Sequence, residues 1–251
     1  MTLKTIAKVM IFLLLGLFLG SQLWWGTLNF YIHPRFNMLI GLAAVGLVIT
    51  GLVYAYQHRH ALLTSEPDHD HEHEHAHSHD LSWLALAILA LPLILGVAVR
   101  PKPLGAAALQ NREINAGSLS SLQAPSGSQL AIMPTAGERN ILDWLYLFQS
   151  SEDPADFAGE PVHVIGFVYQ DDRFSETQFM VSRFTVSCCA ADAVPVGLVV
   201  QWPDTAQLPP DTWVEVTGTL QTGEFNGQTM PILQAEEVSE TEQPAQPYLY
   251  Q

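Results

Sequence analysis

Three uninterrupted apolar runs, Val9 to Phe30, Phe36 to Tyr56 and Leu81 to Val99, fill most of the N-terminal part of the chain, and none contains an acidic or basic side chain. Each is close to the roughly 20 residues that a helix needs to cross a hydrocarbon core. Trp24, Trp25, Tyr31, Tyr54, Tyr56 and Trp83 cluster near the ends of the runs, where amphipathic rings favour the water interface. Pro92 interrupts the third run, a position a spanning helix tolerates. The pattern predicts three transmembrane helices, with "NFYIHPRFN" as a tight turn between the first two because Pro34 disfavours helix at His33. Lys4 and Lys8 give the first run a basic start, but its length and the lack of an A-x-A cleavage site predict a retained anchor.

The periodicity changes after residue 100. Residues 101–137, rich in Ala, Gly, Ser, Pro and Gln, read as a linker. Ile141, Leu145 and Phe148, with Trp144 beside them, recur at helical spacing, and Glu138 suits the positive end of a short amphipathic helix covering one end of a C-terminal domain. From Pro161 five segments, "VHVIGFVY", "QFMVSRFTVS", "VGLVVQW", "WVEVTGTLQ" and "TMPILQAEEVSE", are β-branched or alternating. The Asn226-Gly227 pair marks a hairpin between the last two. Gly166 and Gly218 fall inside strands, where glycine marks a bulge or sharp bend. The expected architecture is a membrane domain over 1–100 with three spans, a linker, and a helix plus small all-β, OB-like barrel over 138–245, with an open sandwich as the alternative.

Composition reinforces this division. Hydrophobic residues make up 48% of the chain and charged ones only 14%, low for a soluble protein. The formal net charge of −15 sits mainly in the C-terminal part, where Arg112, Arg139, Arg173 and Arg183 are the only basic side chains after Lys102. Such a surface repels phosphate backbones, which argues against nucleic-acid binding. Flanking charge does not decide orientation by count, since Lys4, Lys8 and Arg59 oppose Arg35, Arg100 and Lys102. The N-terminal lysines favour a cytoplasmic N-terminus. Three crossings then leave the second connection in the cytoplasm and the β domain outside.

Candidate chemistry falls in two places. Between the second and third runs, over residues 65–80, His69, His71, His73, His75, His77 and His79 alternate with Asp70, Glu72, Glu74, Ala76 and Ser78. Imidazole and carboxylate ligands on such a loop suit Zn2+ or another divalent cation, with modest affinity because ordering the chain opposes binding. A solvated spacer and a pH sensor are the alternatives. The only two cysteines, Cys188 and Cys189, end the second predicted strand. They fit three arrangements: small side chains on opposite faces of a strand, a strained and labile vicinal disulfide, or a metal or thiol site with Asp192 and His163. Arg183, isolated in an apolar strand, is expected to pair with an acid such as Asp192. Gly16 and Gly20 form a GxxxG pair suited to close helix packing. No Ser-His-Asp constellation or phosphate-binding glycine loop is present, so enzymatic activity is not expected, and thiol chemistry at the cysteines ranks third among the readings.

The stretches "YIHPRF", the His-rich loop, "DWLYLF", "VIGFVY", "RFTVSCCAADAVPVGLVVQWP" and "WVEVTGTL" together resemble the YcgQ-like family of bacterial membrane proteins. That resemblance implies a subunit of a two-component permease in the plasma membrane, working with a multi-spanning YcgR/YraQ-type permease. Its β domain would then lie outside the cytoplasm. The competing reading is a free-standing metal-binding protein of zinc homeostasis.

A peptide spanning Ser65 to Leu81 is expected to bind Zn2+ at neutral pH, as read by titration calorimetry. Absence of heat at millimolar metal would remove the loop as a metal ligand.

Overall fold

The computed structural model describes residues 3–60, 82–109, 134–151 and 153–250. The His69 to His79 stretch and most of the expected linker lie outside the described residues. The chain divides into two compact units, one of Met1–Asn29 with Pro34–Lys102, the other of Phe30–His33 with Pro103–Gln251.

The first unit holds α1 (Leu3–Trp24), α2 (Asn37–His60) and α3 (Trp83–Ala98). The first helix starts and stops earlier than the apolar run from Val9 to Phe30. It takes in Lys4 and Lys8, and Gly26 at φ +70° ends it in the left-handed conformation that terminates many helices. Residues 27–30 form a separate 3-10 turn. The helices α1 and α2 are long and apolar enough to cross a membrane, whereas α3 has 16 residues. Every large hydrophobic side chain exposed among the described residues falls between Leu3 and Val99. Apolar surface of that extent faces lipid or a partner rather than water.

Packing inside this unit depends on small residues. A Cβ on Gly16 would stand 2.7 Å from Val48 and 2.8 Å from the Ala44 carbonyl, while one on Gly51 would meet Leu13 at 3.1 Å. These contacts set α1 antiparallel to α2. The GxxxG pair is therefore split in use: Gly16 serves the α1–α2 contact, whereas nothing lies within 4 Å of a Cβ at Gly20. Leu86 and Leu89 of α3 share a cavity with Lys8, Ile11, Phe12 and Leu15, and Gly96 lies against the Phe18 ring. Hence α3 runs alongside α1 in the same direction.

The second unit is a five-stranded β-barrel. Its strands are β1 (Pro161–Tyr169), β2 (Gln178–Val186), β3 (Val194–Gln201), β4 (Trp213–Phe225) and β5 (Gln228–Glu240), close to the five segments marked by alternation. The order is β1-β4-β5-β3-β2, closed by β1 pairing with β2; the β3–β5 contact is parallel and the others antiparallel. A short β6 (Tyr248–Tyr250), which no alternation in the sequence marks, pairs parallel to β2. Asn226 (φ 51°) and Gly227 (φ 75°) form the hairpin turn between β4 and β5, as an Asn-Gly pair favours. At Gly218 the β4–β5 register jumps, leaving Glu236 as the extra residue of a bulge. Just after Gly166, β1 transfers from β4 to β2, and a Cβ there would lie 2.6 Å from the Ser182 carbonyl.

A short helix, α4 (Ala106–Leu109), falls in the stretch expected to be linker; Leu109 is buried with Phe167, Phe184 and Tyr248, and Asp211 accepts from the Ala106 amide. The amphipathic helix is α5 (Ile141–Ser150). Its start is set not by Glu138, which lies in a preceding 3-10 turn, but by Asn140 and Asp143, whose side chains bond each other's amides in a capping box. Ile141, Leu142, Trp144 and Leu145 are buried in the barrel core with Val164, Phe179, Val200 and Leu233. Burial of each such side chain contributes about 1.5–3 kcal/mol.

Gly218→Ala is expected to lower the stability of the β unit by roughly 1–3 kcal/mol or more, because its Cβ would come within 2.0 Å of the Gln234 carbonyl. Thermal unfolding of the full chain followed by near-UV circular dichroism measures the loss.

Candidate functional site

Where β2 ends, Ser187 to Asp192 make a tight turn. Ala190–Asp192 form a 3-10 turn with Cys189 at its N-cap. The Asp192 carboxylate folds back over it: Oδ1 accepts from the Ser187 amide at 3.1 Å, and Oδ2 from the Cys188 and Cys189 amides at 2.8 and 3.3 Å. Three donors that would otherwise need water are thereby satisfied by one side chain.

Both cysteines are free thiols, Cys188 exposed and Cys189 half-buried. Their sulfurs are 3.6 Å apart, far beyond the ~2.05 Å of a disulfide. The two sulfurs and an Asp192 carboxylate oxygen all lie within 4.8 Å of one another. His163, the fourth candidate, is not in this cluster; it sits on β1, hydrogen-bonded to Glu215 of β4. Nor does Arg183 pair with Asp192. Its guanidinium donates to the carbonyls of Pro247 (3.0 Å) and Gln246 and lies over the Trp213 ring. Burial pushes its pKa down to about 10, partly offset by Tyr250.

Charge around the turn is negative. The hydrogen bond to Asp192, followed by that to the Cys189 thiol, pushes the Cys188 thiol up to about 11. Burial works to raise the Asp192 carboxyl, but the Cys188 thiol and the three amides outweigh it and hold the group below the ordinary carboxylate value. A thiol kept protonated at neutral pH is a poor nucleophile. Ligation likewise needs the thiolate, so a cation bound here would have to displace that proton.

The turn has a second support that the strand pattern did not mark. Ile32 forms a β-bridge with Cys189: the His33 amide donates to the Cys188 carbonyl at 2.9 Å, and the Ala190 amide to the Tyr31 carbonyl at 2.8 Å. The His33 ring packs on Tyr250, with centroids 4.5 Å apart. Tyr248 Oη accepts from the Leu104 amide and donates to the Phe30 carbonyl. Phe30–His33 is thus a strap across the cysteine turn.

Comparison with known proteins covers both units. The DUF1980 N-terminal domain matches residues 7–115, and the DUF1980 C-terminal domain matches residues 138–251. A Streptococcus mutans protein named "Putative two-component membrane permease complex subunit" is 32% identical over 132 residues, covering 51% of this chain and 46% of that protein. The UPF0703 protein YcgQ of Bacillus subtilis is 27% identical over 99 residues, 39% of this chain and 35% of that protein. The aligned stretches thus span less than half the length of either relative.

With chelator present, alkylation of Cys188 by iodoacetamide is expected to be slow at pH 8 and to climb only as the pH nears 11. Asp192→Asn removes the charge that suppresses the thiolate, so the rate at pH 8 should rise about tenfold for each unit by which the thiol pKa falls. Peptide mass spectrometry over time reads both rates.

Proposed function

The chain belongs to the DUF1980 family, whose two domains together account for most of its length, and from that premise we propose that it is an accessory subunit of a membrane permease complex. The observation that carries this reading is the 32% identity over 132 residues with a protein named as such a subunit, beside the matches to both DUF1980 domains. The apolar outward faces of α1, α2 and α3 support it, since they offer surface for lipid and for a larger membrane partner. A multi-spanning permease of the YcgR/YraQ type is the proposed partner. The groove beside Gly20, lined by Leu17, Gly41, Val45 and Ile49, is a place where a partner helix could approach closely.

We further propose three crossings. Phe30–His33 lies between α1 and α2 in sequence yet packs in the β unit. If α1 and α2 both cross, that strap lies opposite the N-terminus, and the barrel must lie on its side. The chain between His60 and Pro103 then has to cross once more, and α3 is the apolar helix there. The parallel packing of α3 on α1 supports the same count. With Lys4 and Lys8 inside, the barrel is outside and the connection carrying His69 to His79 is cytoplasmic. The circuit β1-β2-β3-β5-β4 with its parallel β3–β5 contact supports an OB-like reading of the barrel.

Two measurements test this. In mild detergent the full chain should co-purify with a multi-spanning permease, and recovery only as a lone monomer would count against the subunit reading. A membrane-impermeant maleimide, applied at alkaline pH, should label Cys188 in intact cells. Labelling only after permeabilisation would reverse the topology.

A further inference from the structure

We infer that Cys188, Cys189 and Asp192 form a three-ligand site for a thiophilic divalent cation of the zinc type, held ready by the Phe30–His33 strap. This goes beyond the permease reading and stands without it.

The spacing is the first ground. Two thiolates bound to one tetrahedral ion at about 2.3 Å lie about 3.8 Å apart, and the two sulfurs here are 3.6 Å apart. Neighbouring side chains of a regular strand point to opposite faces. Bringing adjacent sulfurs together needs the local turn that Ser187 to Asp192 provide. The second ground is ligand capacity. A carboxylate has about four acceptor sites, and Asp192 uses three on the Ser187, Cys188 and Cys189 amides. The fourth takes the Cys188 thiol hydrogen in the metal-free site and is freed when that thiol loses its proton, so Asp192 can then serve as a single-oxygen ligand while still bracing the turn.

The third ground is preorganisation. The amides of His33 and Ala190 fix the backbone on both sides of Cys189, so little ordering is left for the ion to impose. Two sulfurs and a carboxylate form a donor set that prefers zinc-like ions over calcium or magnesium, which take oxygen ligands. Three protein ligands leave a fourth position, and Cys188 is exposed. An open position of this kind allows the ion to be passed on, unlike the closed four-ligand sites of structural zinc. When the ion binds, each thiol gives up its proton to solvent and each sulfur donates a lone pair; no oxidant or reductant takes part.

The test uses the full chain in detergent, reduced and metal-free, titrated with Co2+. Cobalt bound by thiolate gives a near-ultraviolet sulfur-to-metal charge-transfer absorption that imidazole and carboxylate ligands lack, so metal held by His69 to His79 does not contribute. The absorption should saturate at one cobalt per chain, bleach on addition of Zn2+, and vanish in both Cys188→Ser and Cys189→Ser. Asp192→Asn should keep it but weaken apparent affinity at least about tenfold, in line with the loss of a tuned ligand shell. Far-UV circular dichroism checks that each variant is folded; Cys188, being exposed, is the safest substitution. No charge-transfer absorption in the wild type at saturating cobalt, or its survival in either serine variant, would overturn the site. Neither outcome bears on co-purification with a permease, so the two ideas fail separately.

Discussion

Two main-chain hydrogen bonds, from His33 to the Cys188 carbonyl and from Ala190 to that of Tyr31, connect the link between two apolar helices to the turn at the end of β2. Each is an ordinary hydrogen bond, worth about 1 kcal/mol net. Their consequence lies in what they require of the chain. They make Phe30–His33 part of the barrel unit, and the barrel's C-terminal residues close over the same place, with Tyr248 bonded to Phe30 and Tyr250 packed on His33. The shape of the cysteine turn depends on that connection. So, in the proposed topology, do the number of membrane crossings and the side on which the barrel works.

Much of the barrel was legible because its strands are long enough for side-chain alternation to stand out. The Asn226-Gly227 turn was readable for a local reason, since both residues tolerate positive φ. Gly218 likewise marked its bulge. Glu138, whose charge suits a helix N-terminus, falls in the 3-10 turn before α5, whereas Asn140 and Asp143 spell a capping box three residues apart. The strap and β6 could not be read in this way. Each is three or four residues long, and each forms only because a distant segment completes it.

The site shows the same division. Asp192 lies three and four residues from the cysteines, near enough for a local turn to bring them together, and the strap then fixes the backbone of that turn. His163 and Arg183 were joined to them by residue type alone. Sheet register sent His163 to Glu215, and the C-terminal segment supplied backbone carbonyls for Arg183. A guanidinium can be satisfied by main-chain oxygens, and no side-chain pattern announces those.

The strap also imposes an order on biogenesis. Tyr31 to His33 leave the ribosome long before Cys188 to Ala190 do, by on the order of ten seconds at ordinary translation rates. In the proposed topology the first helical hairpin can enter the bilayer during that interval while its linking segment shows bare amide and carbonyl groups to the far side. Such an unpaired edge recruits whatever strand arrives first. In that topology the edge is paired once Cys188 to Ala190 have been made and moved across, and Tyr248 to Tyr250 then settle beside β2.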